Sequence, residues 1–571
     1  MRRARPSAWR TARGRSSRRL LVWAVLAIGV LAACQPADTT APQPVTGLTA
    51  AGGSGQVTLR WTNPTDADLV GLAIVRKQGS TAPTSVTDGV RVAEVLKPTT
   101  SHVDSLLDAG VRYSYAVFAY DAARNYSTRA TAGATTSATP PAVARLCGTL
   151  PYDITLTPSK GTLFLIDGCT LTIPQGRTLT LGAGSVVKAP SDRTGIEVQG
   201  ALRSTGTATS PAVVTSVHDD TVGGNTDGVT VSPDERGMKI DLVGGGSINL
   251  DQAELRYGRL WDYDVNGYTP TASVVVTNSL IRDAEVDLFA ARTSARLQTN
   301  TFTRSTLSLQ TLDAPVVQGN TFIDGAPMGY GYLSASPVYV GGVADLSGIT
   351  ANTATGTPAQ RTFAFSSSHV RTAWTLAPAT GHLHSFNNVT IDAGATLTVP
   401  SGAVLKNTGS LIVAKGGTLT ARAARFTSLG DDTVGGDTDP SDAHPSWPGI
   451  DVQLGATLSA TGSTFTNASI AIEANINWAI DPSPYATVTV GGSGTFAGNG
   501  FDITNGPKDR LGGAAVDAGG SGASIVSSHQ HLCVPPPLTT LPVVSIPIWD
   551  VEGDGRIDGM CLPTYTEVKG H

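Results

Sequence analysis

Three asparagines set a period in this chain. Asn278-Ser279-Leu280-Ile281, Asn300-Thr301-Phe302 and Asn320-Thr321-Phe322 open alike, at spacings of 22 and 20 residues. Related pieces recur as Ser463-Thr464-Phe465 and Gly494-Thr495-Phe496. A unit of about 20 residues cannot bury a core alone, so it must stack on its neighbours. A β-sandwich also alternates, but has no need of Asn and Phe in register at that interval. Composition narrows the field further. Only 15% of residues are charged and 64 are glycine, which excludes a long helical bundle. The 40% hydrophobic content excludes a wholly disordered chain.

One turn of a right-handed parallel β-helix takes about this much chain, in three short strands, and residues 147–530 are read as that fold. Stacked asparagines would bond the turns above and below, and the phenylalanines would fill the interior. A larger duplication overlies the short one. Residues 178–188 (TLTLGAGSVVK) match 396–406 (TLTVPSGAVLK), and 215–227 (TSVHDDTVGGNTD) match 427–439 (TSLGDDTVGGDTD), at offsets of 218 and 212. Two coil modules are therefore expected, over 147–330 and 386–530. The less regular passage 331–385 is read as their junction, and 531–571 as a C-terminal cap.

The N-terminus reads as an address. Residues 1–19 carry eight arginines and no acid, followed by the apolar stretch Leu20–Ala33. That stretch is shorter than the ~20 residues of a spanning helix, and describes an export signal over 1–33. Leu31-Ala32-Ala33-Cys34 resembles the lipobox of bacterial lipoproteins. The resemblance implies lipid on Cys34, cleavage before it, and an extracytoplasmic chain anchored to the cell membrane or outer membrane and facing the surface. Cleavage there leaves 32 Lys+Arg against 45 Asp+Glu, a net charge of −13. Such a charge argues against nucleic acid as a partner. It favours neutral or cationic partners, or divalent cations. Cys147, Cys169, Cys533 and Cys561 remain, an even number in an oxidising compartment, which suggests two disulfides. Three connectivities exist, and the local one, 147 with 169 and 533 with 561, is preferred.

Residues 34–44 are a polar, Pro-rich tether. Between 45 and 138, Val57-Thr58-Leu59-Arg60-Trp61 alternates, as do Tyr113, Tyr115, Val117, Ala119 and Asp121, between turn residues. With Leu107, these residues resemble the fibronectin type III pattern. The resemblance implies a sandwich with Trp61 in its core and a corner hydrogen bond from one of the tyrosines. A spacer role fits it best. Residues 139–146 read as the next linker.

The duplicated acidic loops are the leading candidates for chemistry. Asp219, Asp220, Asn225 and Asp227 in the first, and Asp431, Asp432, Asp437 and Asp439 in the second, offer the oxygen ligands Ca²⁺ requires, with Gly-Gly allowing a tight wrap. Asp442 lies nearby. Asp550, Glu552, Asp554 and Asp558 in DVEGDGRID resemble an EF-hand or dockerin calcium loop, although Cys561 stands where its last acid belongs. Asp262-Tyr263-Asp264-Val265-Asn266-Gly267 has similar spacing. A structural role for calcium is expected. Asp219-Asp220 superficially resembles the paired Asp of polygalacturonases, but that family's flanking motifs are missing. Arg256 and Arg282 fall at like places in successive repeats. His382/His384 and His529/His531 share a face by alternation but read as surface residues.

The favoured reading is a monomeric, surface-anchored, non-catalytic lipoprotein presenting a calcium-stiffened coil to a polysaccharide, an envelope protein or another protein. The alternative is a polysaccharide lyase or glycoside hydrolase. A cluster of Asp, Arg, Lys and aromatic residues on one face of successive turns would favour the second, and spacing alone reveals none.

Overall fold

A computed structural model describes residues 38–504 except 191–194, 231–236, 263–271, 290–292, 327–335, 379–380, 440–442, 475–485 and 491–494. Beyond 504 it describes only strand backbones at 515–517, 531–534, 548–549, 559–560 and 566–569. The export segment, Cys34, Asp442, His529, Cys561 and the acids at 550–558 lie outside the described residues. Among those described, no helix is long and apolar enough to cross a membrane.

Seven antiparallel strands make the first unit. Thr46–Gly53, Gln56–Thr62 and Ser101–Ser105 form one sheet; Gly71–Gln78, Val90–Leu96, Arg112–Tyr120 and Ala130–Thr135 form the other. The alternating inward residues Val57, Leu59, Trp61, Tyr115 and Val117 meet in one core. The opposite parity of the Arg112–Tyr120 strand is buried as well, because Ala116 and Phe118 pack with Val75 in a second cluster. Tyr113 supplies the corner, its hydroxyl accepting the Asp108 N–H at 3.2 Å.

The coil begins earlier than Cys147. Val143–Arg145, inside the expected linker, pairs in parallel with Leu163–Leu165 and starts a ladder of nine strands. The sandwich is docked on this first turn. Arg76 donates to Asp104 at 2.7 and 2.8 Å and to the Tyr152 hydroxyl at 3.3 Å, while the Ala109 N–H donates to the Ser159 carbonyl at 2.9 Å. Cys147 and Cys169 are bonded through their sulfurs, with Cα atoms 5.8 Å apart, between adjacent turns.

Each turn then contributes one short strand to each of three parallel ladders. This makes the chain all-β: a fibronectin type III sandwich followed by a right-handed parallel β-helix. Phe302 and Phe322 stack with ring centroids 4.6 Å apart, and Phe426, Phe465 and Phe496 stack further along. The asparagine ladder is shifted from its expected register. Ser279, not Asn278, lines up with Asn300 and Asn320, and Asn352 extends the stack. Asn278 occupies a left-handed corner at φ 50°, its amide donating to Asp251 outside the stack.

The junction is real in two walls and absent in the third. The eight- and nine-stranded ladders stop at Ile349–Thr350 and Thr353–Thr355, and two six-stranded ladders start at His369–Val370 and Ala373–Thr375. The third wall runs through as one ladder of 14 strands, so 331–385 carries coil rather than a separate connection. The duplicated segments fall on different walls. The first acidic loop leaves the nine-stranded ladder at Ala212–Ser216 and enters the long ladder at Met238–Leu242. Its counterpart leaves the long ladder at Arg425–Ser428 and enters a six-stranded one at Ile450–Val452. The second copy is thus turned by one face about the coil axis.

Candidate functional site

Both acidic loops fold back over the outward face of the preceding turns, and a lysine lies beneath each. Lys188 follows inward-facing Val187 and so points out of the coil, yet it is wholly buried. Its ammonium donates to the carbonyls of Asp219 at 2.9 Å and Gly224 at 2.7 Å. Lys406 repeats this in the second copy, donating to Gly436 O at 2.5 Å. The paired glycines are required by this geometry. Gly223 and Gly435 have φ of 68° and 75°, and a Cβ on them would press on Leu163 and Leu383 at 3.0 and 3.3 Å.

The first acid of each loop turns inward. Asp219 accepts Thr215 Oγ1 at 2.8 Å and the Thr221 N–H at 3.1 Å. Asp431 accepts Thr427 Oγ1 at 2.5 Å and the Thr433 N–H at 3.1 Å. Burial pushes the Asp431 carboxyl up, but those bonds and the Lys406 charge hold it below its ordinary value. Asp227 lies against His218, and Asp439 against His444 at 2.8 Å. Asn225 closes a turn by accepting the Gly228 N–H; Asp432 and Asp437 are exposed, whereas Asp220 is half-buried and its Oδ1 is buried without a hydrogen-bond partner. An ammonium thus meets two carbonyls of the first loop and one of the second. Among the described residues, three carboxylates approach one another only at Asp38, Asp68 and Asp121. Burial lowers the pKa of both lysines, and the surrounding carboxylates oppose that shift.

Arg256 and Arg282 do stack as neighbouring rungs, but Arg256 is engaged with Glu254 and Arg282 with Asp283. Asp262 is buried and accepts Thr293 Oγ1, and the rest of its segment lies outside the described residues.

His382 and His384 are not surface residues. His384 is a rung of the interior Phe ladder, level with Phe363, and His382 stacks on Phe363 at 4.0 Å. Burial holds His382 at a pKa of about 4 and His384 well below its ordinary value. Because these folded-state values lie under the unfolded 6.5, stability is full above pH 6.5 and falls as pH drops toward 4. By pH 5, His382 alone should cost about 2 kcal/mol. Urea midpoints at pH 7.5 and 5.0 test this: His382→Phe should flatten the dependence, and an equal drop in both chains would refute the assignment.

A second constellation had no visible period in the sequence. On the outward face of the long ladder, parallel strands bring Glu197 level with Asp241, Asp241 with Trp261, and Trp261 with Asp287. Lys239, Arg259 and Glu285 form the adjacent column. Lys239 bridges to Asp241 at 2.7 Å, and Arg259 to Asp287 at 2.5 Å. The two cations lie 4.5 and 4.2 Å from the Trp261 ring centroid. Burial raises the Asp241 carboxyl, with Lys239 opposing it and the Glu197 charge adding to it. Burial likewise raises Asp287 against the pull of Arg259. This is the one-face cluster that spacing did not reveal. Aligning turns on their inward residues Ile196, Ile240, Leu260 and Val286 would have found it.

No protein-family model matches the chain, and no curated protein matches it. Pectate lyase PelI from Erwinia chrysanthemi, solved with tetragalacturonic acid, is 10% identical over 66% of this chain and 84% of its own, at a TM-score of 0.13. The chicken CNTN1 fibronectin domains are 20% identical over 17% of this chain and 33% of theirs, at 0.15. The Clostridium perfringens spore cortex lytic enzyme SleM is 19% identical over 17% of this chain and 29% of its own, at 0.14. This chain thus spans a third or less of the last two. The fold assignment rests on the ladders themselves.

Proposed function

We propose that this chain is a non-catalytic, surface-displayed β-helix that binds a neutral or cationic glycan along the outward face of the long ladder. The observation carrying this reading is the ladder around Trp261: such a one-face cluster would also serve a catalytic coil, but here Asp241 and Asp287 are each paired with a cation and both cations lie against the Trp261 ring, an arrangement that supports binding. Four carboxyls (Glu197, Asp241, Glu285, Asp287) face two cations (Lys239, Arg259) over four successive strands. The excess of acid disfavours anionic polymers, and the fixed spacing of rungs, ~4.8 Å, suits an extended chain of repeating units. Lipid on Cys34 would hold the coil at the cell surface, and the sandwich would lift it away. A Cys533–Cys561 disulfide and a calcium loop at 550–558 belong to the same reading as reinforcement of the far end.

Retention on a panel of immobilised neutral, cationic and acidic polysaccharides tests it. Trp261→Ala and Asp287→Asn should each weaken retention about tenfold, with melting temperature checked for both. Retention equal to that of the unaltered chain, or a preference for acidic polymers, refutes the reading.

The raised Asp241 and Asp287 carboxyls favour one second reading, a glycoside hydrolase or lyase. A raised carboxyl moves toward what a general acid requires, and Glu197 on the adjoining rung offers the second group. Release of reducing ends or unsaturated product that disappears in Asp241→Asn would establish catalysis and displace the binding-only reading.

A further inference from the structure

One wall of the second module carries a two-dimensional array of hydroxyls. Thr396, Thr418, Thr457 and Thr487 stand level with one another on four adjacent parallel strands. Two residues further along each strand, Thr398, Thr420, Ser459 and Thr489 make a second column, which Thr375 extends by one rung. The residues between the columns, Leu397, Leu419, Leu458 and Val488, are buried in the coil core, so both columns face outward. No position in either column is charged, and Arg422 lies at the margin, two residues beyond Thr420. Strand-forming preference alone does not account for this pattern. The eight-stranded wall of the first module carries the same triplet, Thr178-Leu179-Thr180, but Arg203, Asn249, Val275 and Arg296 follow Thr180 across its strands.

Neighbouring strands lie ~4.8 Å apart, and alternate residues of one strand ~6.6 Å apart. The two columns therefore form a net of fixed mesh, close to that of the oxygens on the prism face of hexagonal ice. Threonine is stiff at χ1, so its hydroxyl and methyl keep their places in the net. Among the described residues these hydroxyls have no hydrogen-bond partner, and their oxygens are open to solvent. Each can both donate to water and accept from it. A contact through water is nearly as favourable as a direct one, and its cost is the immobilisation of that water. In ice the water is immobile already. Other partners find less here. An ionic polymer meets no charge within the columns, and a sugar ring no aromatic platform, because Trp374, the one aromatic residue of these five strands, faces the core.

We infer that this wall binds the surface of ice, the two hydroxyl columns and their methyl groups holding the outermost layer of lattice water. The wall shares no residue with the face around Trp261, so ice binding and glycan binding stand or fall separately.

Grain growth in frozen sucrose solution, followed by microscopy with the full chain added, tests this. The unaltered chain should arrest recrystallisation at micromolar concentration and should facet a crystal grown in its presence. Thr420→Lys, in the middle of the array, should require about tenfold more protein for the same arrest. Thr180→Lys places the same change in the triplet that lacks the columns, and should require no more than the unaltered chain. Melting temperatures of both variants show whether the coil is intact. No arrest by the unaltered chain, undiminished arrest by Thr420→Lys, or equal losses in the two variants would each overturn the inference. So would retention on crystalline cellulose that Thr420→Lys abolishes while ice growth is unaffected, since the wall would then belong to a polysaccharide. The measurement on the unaltered chain decides even if a variant does not fold.

Discussion

Replacing Lys188 with methionine should loosen the first acidic loop and lower stability by about 3 kcal/mol. Methionine keeps the side-chain length that packs beneath the loop and removes only the ammonium. The Asp219 and Gly224 carbonyls then lose their donor, at ~1–3 kcal/mol for each buried orphan. The negative charges of Asp219, Asp220 and Asp227, which act on this lysine, lose their countercharge. Part of that loss is offset, because the depressed pKa of Lys188 records a cost of burying its charge. Hydrogen exchange should locate the effect at residues 217–230 and leave the sandwich unchanged, because coil turns couple chiefly to their neighbours. Lys406→Met should act likewise on its own loop. In the unaltered chain, chelator should leave the melting temperature of these turns where it was, since the ammonium already holds the carbonyls. A chelator-sensitive transition of the two acidic loops in the unaltered chain, or an unaffected loop in Lys188→Met, would refute this account.

That lysine also marks the limit of what the sequence discloses. The duplicated loops stand out by their acids, and acids with Gly-Gly read as an ion site. Lys188 and Lys406 lie far upstream, inside strands whose pattern gives no sign that an outward residue will be covered. Only the fold-back of each loop over its preceding turns brings them together. The fold was far more legible, because stacking imposes a repeat on the chain itself. Phe302 and Phe322 are stacked where their spacing places them. Asn278 misled by one residue: a left-handed corner can take Asn as readily as the ladder can, and identity at a spacing cannot separate the two. The charged face around Trp261 was hidden for another reason. Loops of different lengths separate Glu197, Asp241, Trp261 and Asp287 along the chain, so rungs that are neighbours in space have no common interval. The histidines at 382 and 384 were misread because alternation identifies a shared face without saying which face is inside.

Asn320→Ala is expected to be the most damaging single change in the coil. Asn320 Oδ1 accepts both the backbone N–H and the side-chain amide of Asn300, each at 2.9 Å. Its own amide donates to the Leu297 carbonyl at 2.9 Å and to Asn352 Oδ1 at 3.0 Å. Alanine keeps the backbone bond to Asn352 but strands two donors on Asn300 and the Leu297 carbonyl. The residue is 1% exposed, so water cannot reach these groups unless the turn opens. At ~1–3 kcal/mol for each orphan, with partial relaxation, the loss should be about 4 kcal/mol. Asn320→Asp discriminates between shape and hydrogen bonding. It preserves the volume and the acceptor but removes the donor and buries a charge, so it should destabilise at least as much as alanine, and more at pH 7 than at pH 4. If size alone mattered, Asp would be tolerated. Urea unfolding of the coil at both pH values, with hydrogen exchange over residues 295–355, measures both variants. A loss under about 1 kcal/mol in Asn320→Ala, or an aspartate variant as stable as the unaltered chain, would mean that the phenylalanine stack alone fixes the register of these turns.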